Sequence, residues 1–279
     1  RHPTVLAAEA VGMDELSDGR FIMGIGVGKV GIEYLEYDIK EQPPVRIHQE
    51  SMDIMRKVFT GEHYEYKGDF FESTMPAYDR VADGLRTDIP IYVGATGPFM
   101  QKLAGRSSDG MLLAGLTSPA FVKYAIDNMK AGAEKKGRSL DADFPVGGVI
   151  LAARSNDGNV RKEATRRITV AYELKKLHNI KNYVILAGSG LPDEAWDPFR
   201  KAIEEGTDDN VTQLVTDEMQ RKFTVISGTP DECAEITQEL IDSGLNLPLL
   251  EVVGASEEDN LESVRLFGEA VMPQLKPAS

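Results

Sequence analysis

The stretch Gly24-Ile25-Gly26-Val27-Gly28-Lys29-Val30-Gly31 contains the densest candidate chemistry in the chain. Gly26, Gly28 and Gly31 carry the G-x-G-x-x-G spacing. Such glycines let backbone amides approach a pyrophosphate at a helix start. A dinucleotide site also wants an acidic residue at a strand end about 20 residues on. That distance falls on Glu50 and Asp53, inside a predicted helix, and Pro43-Pro44 interrupts the expected crossover. The context therefore argues against a dinucleotide fold. A phosphate loop of the Walker type needs Ser or Thr after its lysine, and Val30 follows Lys29. Two readings stay open: a glycine-rich exit from a buried strand, or a strand end kept bare for a flat cofactor.

Gly94-Ala95-Thr96-Gly97-Pro98 repeats the theme of apolar strand, small residues and helix start. Small side chains there leave room for a ligand, and the amides that follow favour an anion. A tight strand-to-helix turn accounts for the same residues equally well. The four histidines, His2, His48, His63 and His178, form no zinc spacing with one another or with Cys233. No metal site is expected. There is no Gly-x-Ser-x-Gly elbow, so a serine hydrolase is not indicated. Glu204-Glu205, Asp208-Asp209 and Glu257-Glu258-Asp259 read as solvated charge runs, and Cys233 reads as a small packing residue. Asp14 and Arg20 flank a tight turn and are expected to pair structurally.

The elements that must hold these residues alternate between apolar runs and helical patterns, as in a parallel sheet with crossover helices. Strands are predicted over 20–27, 90–95, 110–114, 145–154 and 247–253, and a hairpin over 64–72. Helices are predicted over 4–16, 48–59, 98–107, 118–136, 159–177, 230–243 and 260–274. Met52, Met55 and Phe59 mark the buried face of the second. Residues 178–219 are less regular and read as a helical insertion within a single domain, 1–279. Five main strands fit either an open doubly wound sheet or part of a barrel.

Composition narrows the partners. The 279 residues carry 45 acidic and 31 basic side chains, a net charge of −14. Such a surface repels phosphate backbones and anionic lipid, so neither nucleic acid nor membrane is an expected partner. The apolar runs are too short to span a bilayer. One cysteine and no signal-like start fit a reducing cytoplasm.

Arg1-His2-Pro3-Thr4, Met13-Asp14-Glu15-Leu16-Ser17-Asp18-Gly19-Arg20-Phe21 and Gly24-Ile25-Gly26-Val27-Gly28 together resemble the bacterial-luciferase-like flavin and deazaflavin oxidoreductases. Ile89 to Pro98 resembles the family's fifth barrel strand, and Leu103-Ala104-Gly105 and Ser108-Asp109-Gly110 follow in order. Arg46 and Glu50 match its recurrent helix start before Ile54-Met55-Arg56. Leu214 to Met219 and Ser227-Gly228-Thr229-Pro230 most resemble methylenetetrahydromethanopterin reductases, which use coenzyme F420.

The resemblance implies an α/β fold, a (β/α)8 TIM barrel of the luciferase-like type, with cofactor at the carboxyl ends of the strands. It implies that the five strands are the fourth to the eighth, the first three belonging to a section ahead of Arg1. A chain lacking that section is expected to self-associate and to bind cofactor poorly. The resemblance further implies coenzyme F420 as cofactor, with FMN as the alternative. Hydride would pass to or from a small molecule such as a pterin-linked one-carbon unit. It also implies a homo-oligomer. Gly26, Gly28, Gly94, Ala95, Thr96, Gly97 and Pro98 match the family's cofactor-binding loops. Lys29 stands where deazaflavin members carry an acid, and the nearest acid is Glu33. These two are the candidate catalytic residues. The loop 114–118 lacks the lysine of the family's sugar-phosphate dehydrogenases, which disfavours glucose 6-phosphate as substrate. An FMN-dependent monooxygenase and a non-catalytic cofactor-binding member are the competing readings.

Overall fold

The computed structural model describes residues 1–27, 43–78, 86–113, 117–153, 190–205, 213–222, 226–252 and 256–277. The chain divides into two compact units, one of 1–95, 99–111 and 129–144, the other of 96–98, 112–128 and 145–279.

In the first unit, α1 (Pro3–Leu16) starts with proline in its first turn and His2 as its cap, Nδ1 accepting from the Thr4 amide at 3.3 Å. It ends where Asp18 and Gly19 turn left-handed, at φ 52° and 72°. β1 (Met23–Ile25) follows, shorter than the strand predicted over 20–27. α2 (Pro44–Phe59) begins four residues ahead of the predicted start at His48, because Pro44 fits a first helical turn. Met52, Met55 and Phe59 are buried, as their spacing predicts.

The hairpin is β2 (Tyr64–Lys67) and β3 (Glu72–Met75), antiparallel with Lys67 opposite Glu72. It is tied to the start of α1. Thr4 Oγ1 lies 2.9 Å from Ser73 Oγ and 3.1 Å from Tyr64 Oη, while the His2 ring meets Phe71 edge-on. The Arg1–Thr4 motif therefore builds a helix start and its anchor.

β4 (Ile91–Gly94) pairs in parallel with β1, Met23 facing Ile91, Gly24 facing Tyr92 and Ile25 facing Val93. β5 (Gly110–Leu113) is next in the sheet after β4. Between them α3 (Pro98–Ser107) crosses the later part of α4 (Pro119–Lys136) at two glycines. A Cβ on Gly105 would fall 1.9 Å from the Met129 carbonyl oxygen, and one on Gly132 would fall 2.1 Å from that of Lys102. Asp14 pairs with Arg86 and not, as expected, with Arg20. The fully buried carboxylate of Asp14 accepts from Arg86 Nη2 at 2.6 Å and Nε at 3.1 Å. Arg20 instead donates to the Ser17 carbonyl at 2.8 Å.

In the second unit, β5 is followed in the sheet by β6 (Val146–Ala153). β7 (Ile226–Ser227) and β8 (Leu247–Val252) both pair in parallel with β6. Ser118 Oγ caps α4 by accepting from the Phe121 amide at 3.1 Å. Asn246 Oδ1 accepts from the Val146 amide at 2.8 Å, which fixes the start of β6. The described parts of 178–219 are helical. Trp196 ends a 3-10 turn and packs with Phe199 of α5 (Asp197–Glu204), both buried. Thr216 Oγ1 caps α6 (Asp217–Lys222) through the Met219 amide. α7 (Pro230–Asp242) opens with a capping box, Thr229 Oγ1 and Glu232 exchanging bonds with each other's amides. Cys233 is buried within it. α8 (Glu257–Leu266), starting ahead of the predicted 260, runs into a π turn (Phe267–Val271) and a 3-10 turn (Met272–Gln274). The two-residue β7 was not predicted, and the helix predicted over 159–177 lies outside the described residues.

Two helical glycines should respond to alanine with opposite sign. Gly105→Ala forces a methyl into backbone and should cost about 3 kcal/mol, the upper end of ordinary overpacking. Gly12→Ala in α1, where a Cβ meets no described atom within 4 Å, should gain about 0.5 to 1 kcal/mol. Urea unfolding of both variants measures the pair.

Candidate functional site

β1 and β4 run side by side and end together at glycines. Side chains alternate across a strand, so Gly24 and Gly26 share a face of the sheet with Tyr92 and Gly94. The other face carries Ile91, Val93 and Ala95, all fully buried. The glycine face is half-buried on β4 and exposed at Gly24 and Gly26. The two strand ends also lie close. A Cβ on Gly94 would sit 3.4 Å from the Ile25 carbonyl oxygen and 3.6 Å from Gly26 Cα. Bare backbone of this kind admits a flat molecule to contact distance, which larger side chains would prevent.

The structure thus brings Gly26 and Gly94 together, with Ala95 buried beneath them on the opposite face. Thr96, Gly97 and Pro98 carry the chain from β4 into α3 and are half-buried. A Cβ on Gly97 meets no described atom within 4 Å, and its φ is not positive. Gly28, Lys29 and Glu33 lie outside the described residues. Among the described residues no group of His, Cys, Asp and Glu could hold a metal ion, and no helix is long and apolar enough to cross a membrane.

Several residues that carried the family resemblance prove to be supports for this face. Asp109 Oδ2 accepts from the Ile91 amide at 2.8 Å and from Arg56 Nη2 at 2.9 Å. Arg56 also donates to the Ser107 carbonyl at 3.1 Å. The Ser108-Asp109-Gly110 motif therefore sets where β4 begins. Arg138 Nη1 holds the same turn from the other side, through the carbonyls of Gly105 and Ser108 at 3.1 and 2.6 Å.

Glu50, at the distance a ribose-binding acid would occupy, has a different task. Its buried carboxylate accepts from the amides of Asp69, Phe70 and Phe71 at 2.9, 3.0 and 3.1 Å. Gly68 makes room for it, since a Cβ there would strike Glu50 Oε2. Arg46 pairs with Asp69 and covers the Phe70 ring. Burial, then the charges of Glu50 and Asp53, raise the Tyr66 phenol above its usual pKa.

Tyr92 was not among the predicted site residues, because in sequence it reads as one more apolar position of a strand. The signal that could have found it is the register, which sets Tyr92 beside Gly24. Burial first, and then the Asp109 carboxylate, raise its phenol above the ordinary value, so it stays protonated at neutral pH.

The luciferase-like monooxygenase family model matches residues 1–247. The chain belongs to this family. A 5,10-methylenetetrahydromethanopterin reductase of Archaeoglobus fulgidus is 32% identical over 280 residues, spanning 97% of this chain and 79% of the relative. The solved coenzyme F420-dependent tetrahydromethanopterin reductase of Methanopyrus kandleri superposes with a TM-score of 0.77 at 23% identity, covering 99% of this chain and 80% of that one. An F420-dependent secondary alcohol dehydrogenase, solved with an F420-acetone adduct, superposes at 0.70 and 19% identity, covering 98% and 75%. These superpositions show an α/β fold with a parallel sheet of the luciferase-like kind.

Replacing the Glu50 carboxylate by an amide tests its structural role. Glu50→Gln turns an amide group toward backbone N–H donors and should lower stability by about 2 kcal/mol, the cost of an unsatisfied buried donor. Denaturant unfolding against the wild type checks it.

Proposed function

We propose that this chain is a coenzyme F420-dependent oxidoreductase acting on a small molecule, of the kind represented by a one-carbon unit on a tetrahydromethanopterin-like pterin. The observation that carries the reading is the bare backbone where β1 and β4 end, so close that a Cβ on Gly94 would sit 3.6 Å from Gly26 Cα. It lies in a chain whose reductase relative aligns across nearly its whole length. The face suits a flat ring, which is the test that a deazaflavin must pass here.

When bound, the cofactor would supply two-electron hydride chemistry, and the protein supplies binding, orientation and exclusion of water. Gly26, Gly28 and Gly94 would admit the ring to backbone contact. Ala95, Thr96, Gly97 and Pro98 would bound it where the chain enters α3. Lys29 would place a positive charge near an anionic ligand, and Glu33 is the nearest acid to serve beside it. The parallel strands would belong to a (β/α)8 barrel, a single domain with 178–219 as a helical insertion, in a cytoplasmic homo-oligomer.

Titration of the protein with coenzyme F420 and with FMN, followed by fluorescence, tests the assignment. Coenzyme F420 should bind more tightly. Tighter FMN would move the chain to the flavin monooxygenases of its family. Gly97→Leu adds a second check. Space and backbone at Gly97 accept the side chain, so the melting temperature should hold. Binding should weaken by about tenfold or more, as for loss of about 1.4 kcal/mol. Unchanged binding would return 94–98 to a plain turn.

A further inference from the structure

On the glycine face Tyr92 is the one side chain among Gly24, Gly26, Gly94 and Gly110. Its ring leans toward β5. A Cβ on Gly110 would fall 2.7 Å from the ring's Cδ1 and Cε1, so Gly110 is the seat that lets the ring lie down. On the other flank Gly24 is its direct register partner, yet a Cβ there meets no described atom within 4 Å. The ring therefore walls one side of a recess whose base is the Gly24 backbone. Gly94 and Gly26 lie two residues further along the same strands, about 6.6 Å at the usual strand rise. Among the described residues no hydrogen bond engages the Tyr92 hydroxyl, although burial already disfavours its ionised form. A half-buried phenol with a free O–H at the side of a bare recess is a donor awaiting an acceptor.

We propose that Tyr92 and Gly24 are ligand-positioning residues: the bound ring system extends over Gly24, and the Tyr92 hydroxyl donates a hydrogen bond to a carbonyl oxygen on its polar edge. The inference rests on the F420 reading for the identity of the ring. It adds to Gly26 and the turn at 94–98 a group one layer down the strands, which fixes how far the ring enters and which edge goes first. The seat at Gly110 matters as much as the hydroxyl, because a side chain there would push the ring across the recess.

Two variants of the full chain test it, read by cofactor titration, by the absorbance spectrum of the bound cofactor and by melting temperature. Tyr92→Phe keeps the ring on Gly110 and removes only the donor. It should leave the melting temperature unchanged, weaken coenzyme F420 about tenfold as expected for one lost hydrogen bond, and shift the bound spectrum. Gly24→Leu fills the recess at a position with room for a side chain and no positive φ. It should abolish binding while far-UV circular dichroism stays native. A Tyr92→Phe protein with wild-type affinity and spectrum overturns the role of Tyr92 and leaves the F420 reading standing. A folded Gly24→Leu protein that still binds overturns the recess. If the wild type prefers FMN and both variants weaken FMN, the recess stands and the deazaflavin assignment falls.

Discussion

The carboxylate of Asp109 accepts hydrogen bonds from the first amide of β4 and from Arg56 of α2, at 2.8 and 2.9 Å. Its own amide donates to the Ile91 carbonyl at 2.8 Å. One residue thereby fixes the start of β4, the start of β5 and the helix beside them. The position of every later residue on β4 follows, including Tyr92 and Gly94. A carboxylate with such charge-assisted partners resists displacement better than packing alone. Arg138 on the same turn and the glycine crossing of α3 and α4 reinforce the constraint.

A charge pair with a fully buried carboxylate works upstream. Asp14 of α1 holds Arg86, and Arg86 reaches the Phe21 carbonyl just ahead of β1. The strand that lines up with β4 is thus anchored through a fully buried carboxylate. Removing one partner of such a pair leaves an uncompensated charge, which typically costs about 3 to 5 kcal/mol. The polar core of the first unit is spent on setting strand starts. The strand ends are left as bare glycine, where a ligand can approach.

Among the described residues, most helices and strands were legible in the sequence because each repeats its own period. Met52, Met55 and Phe59 mark the buried face of α2, and the apolar run 146–153 marks β6. β7 was not legible, since Ile226-Ser227 is too short to show alternation. The partners of Asp14 and Glu50 were hidden for a different reason. Arg86 lies 72 positions beyond Asp14, and the amides that hold Glu50 lie across a hairpin turn. No local pattern encodes such pairings. Of the proposed site, Gly26 and Gly94 stand out in the sequence as small residues at strand ends. Tyr92 stands out only once the register sets it beside Gly24 and over Gly110. The resemblance contributed what periodicity could not, the order of motifs along the chain and the class of cofactor.

The proposed function requires a flat deazaflavin ring against the glycine face of β1 and β4. A crystal structure of the protein soaked or co-crystallised with coenzyme F420 tests it most directly. The ring should lie in van der Waals contact with the backbone of Gly24, Gly26 and Gly94. A ring bound on any other surface, with those glycines still facing solvent, would contradict it.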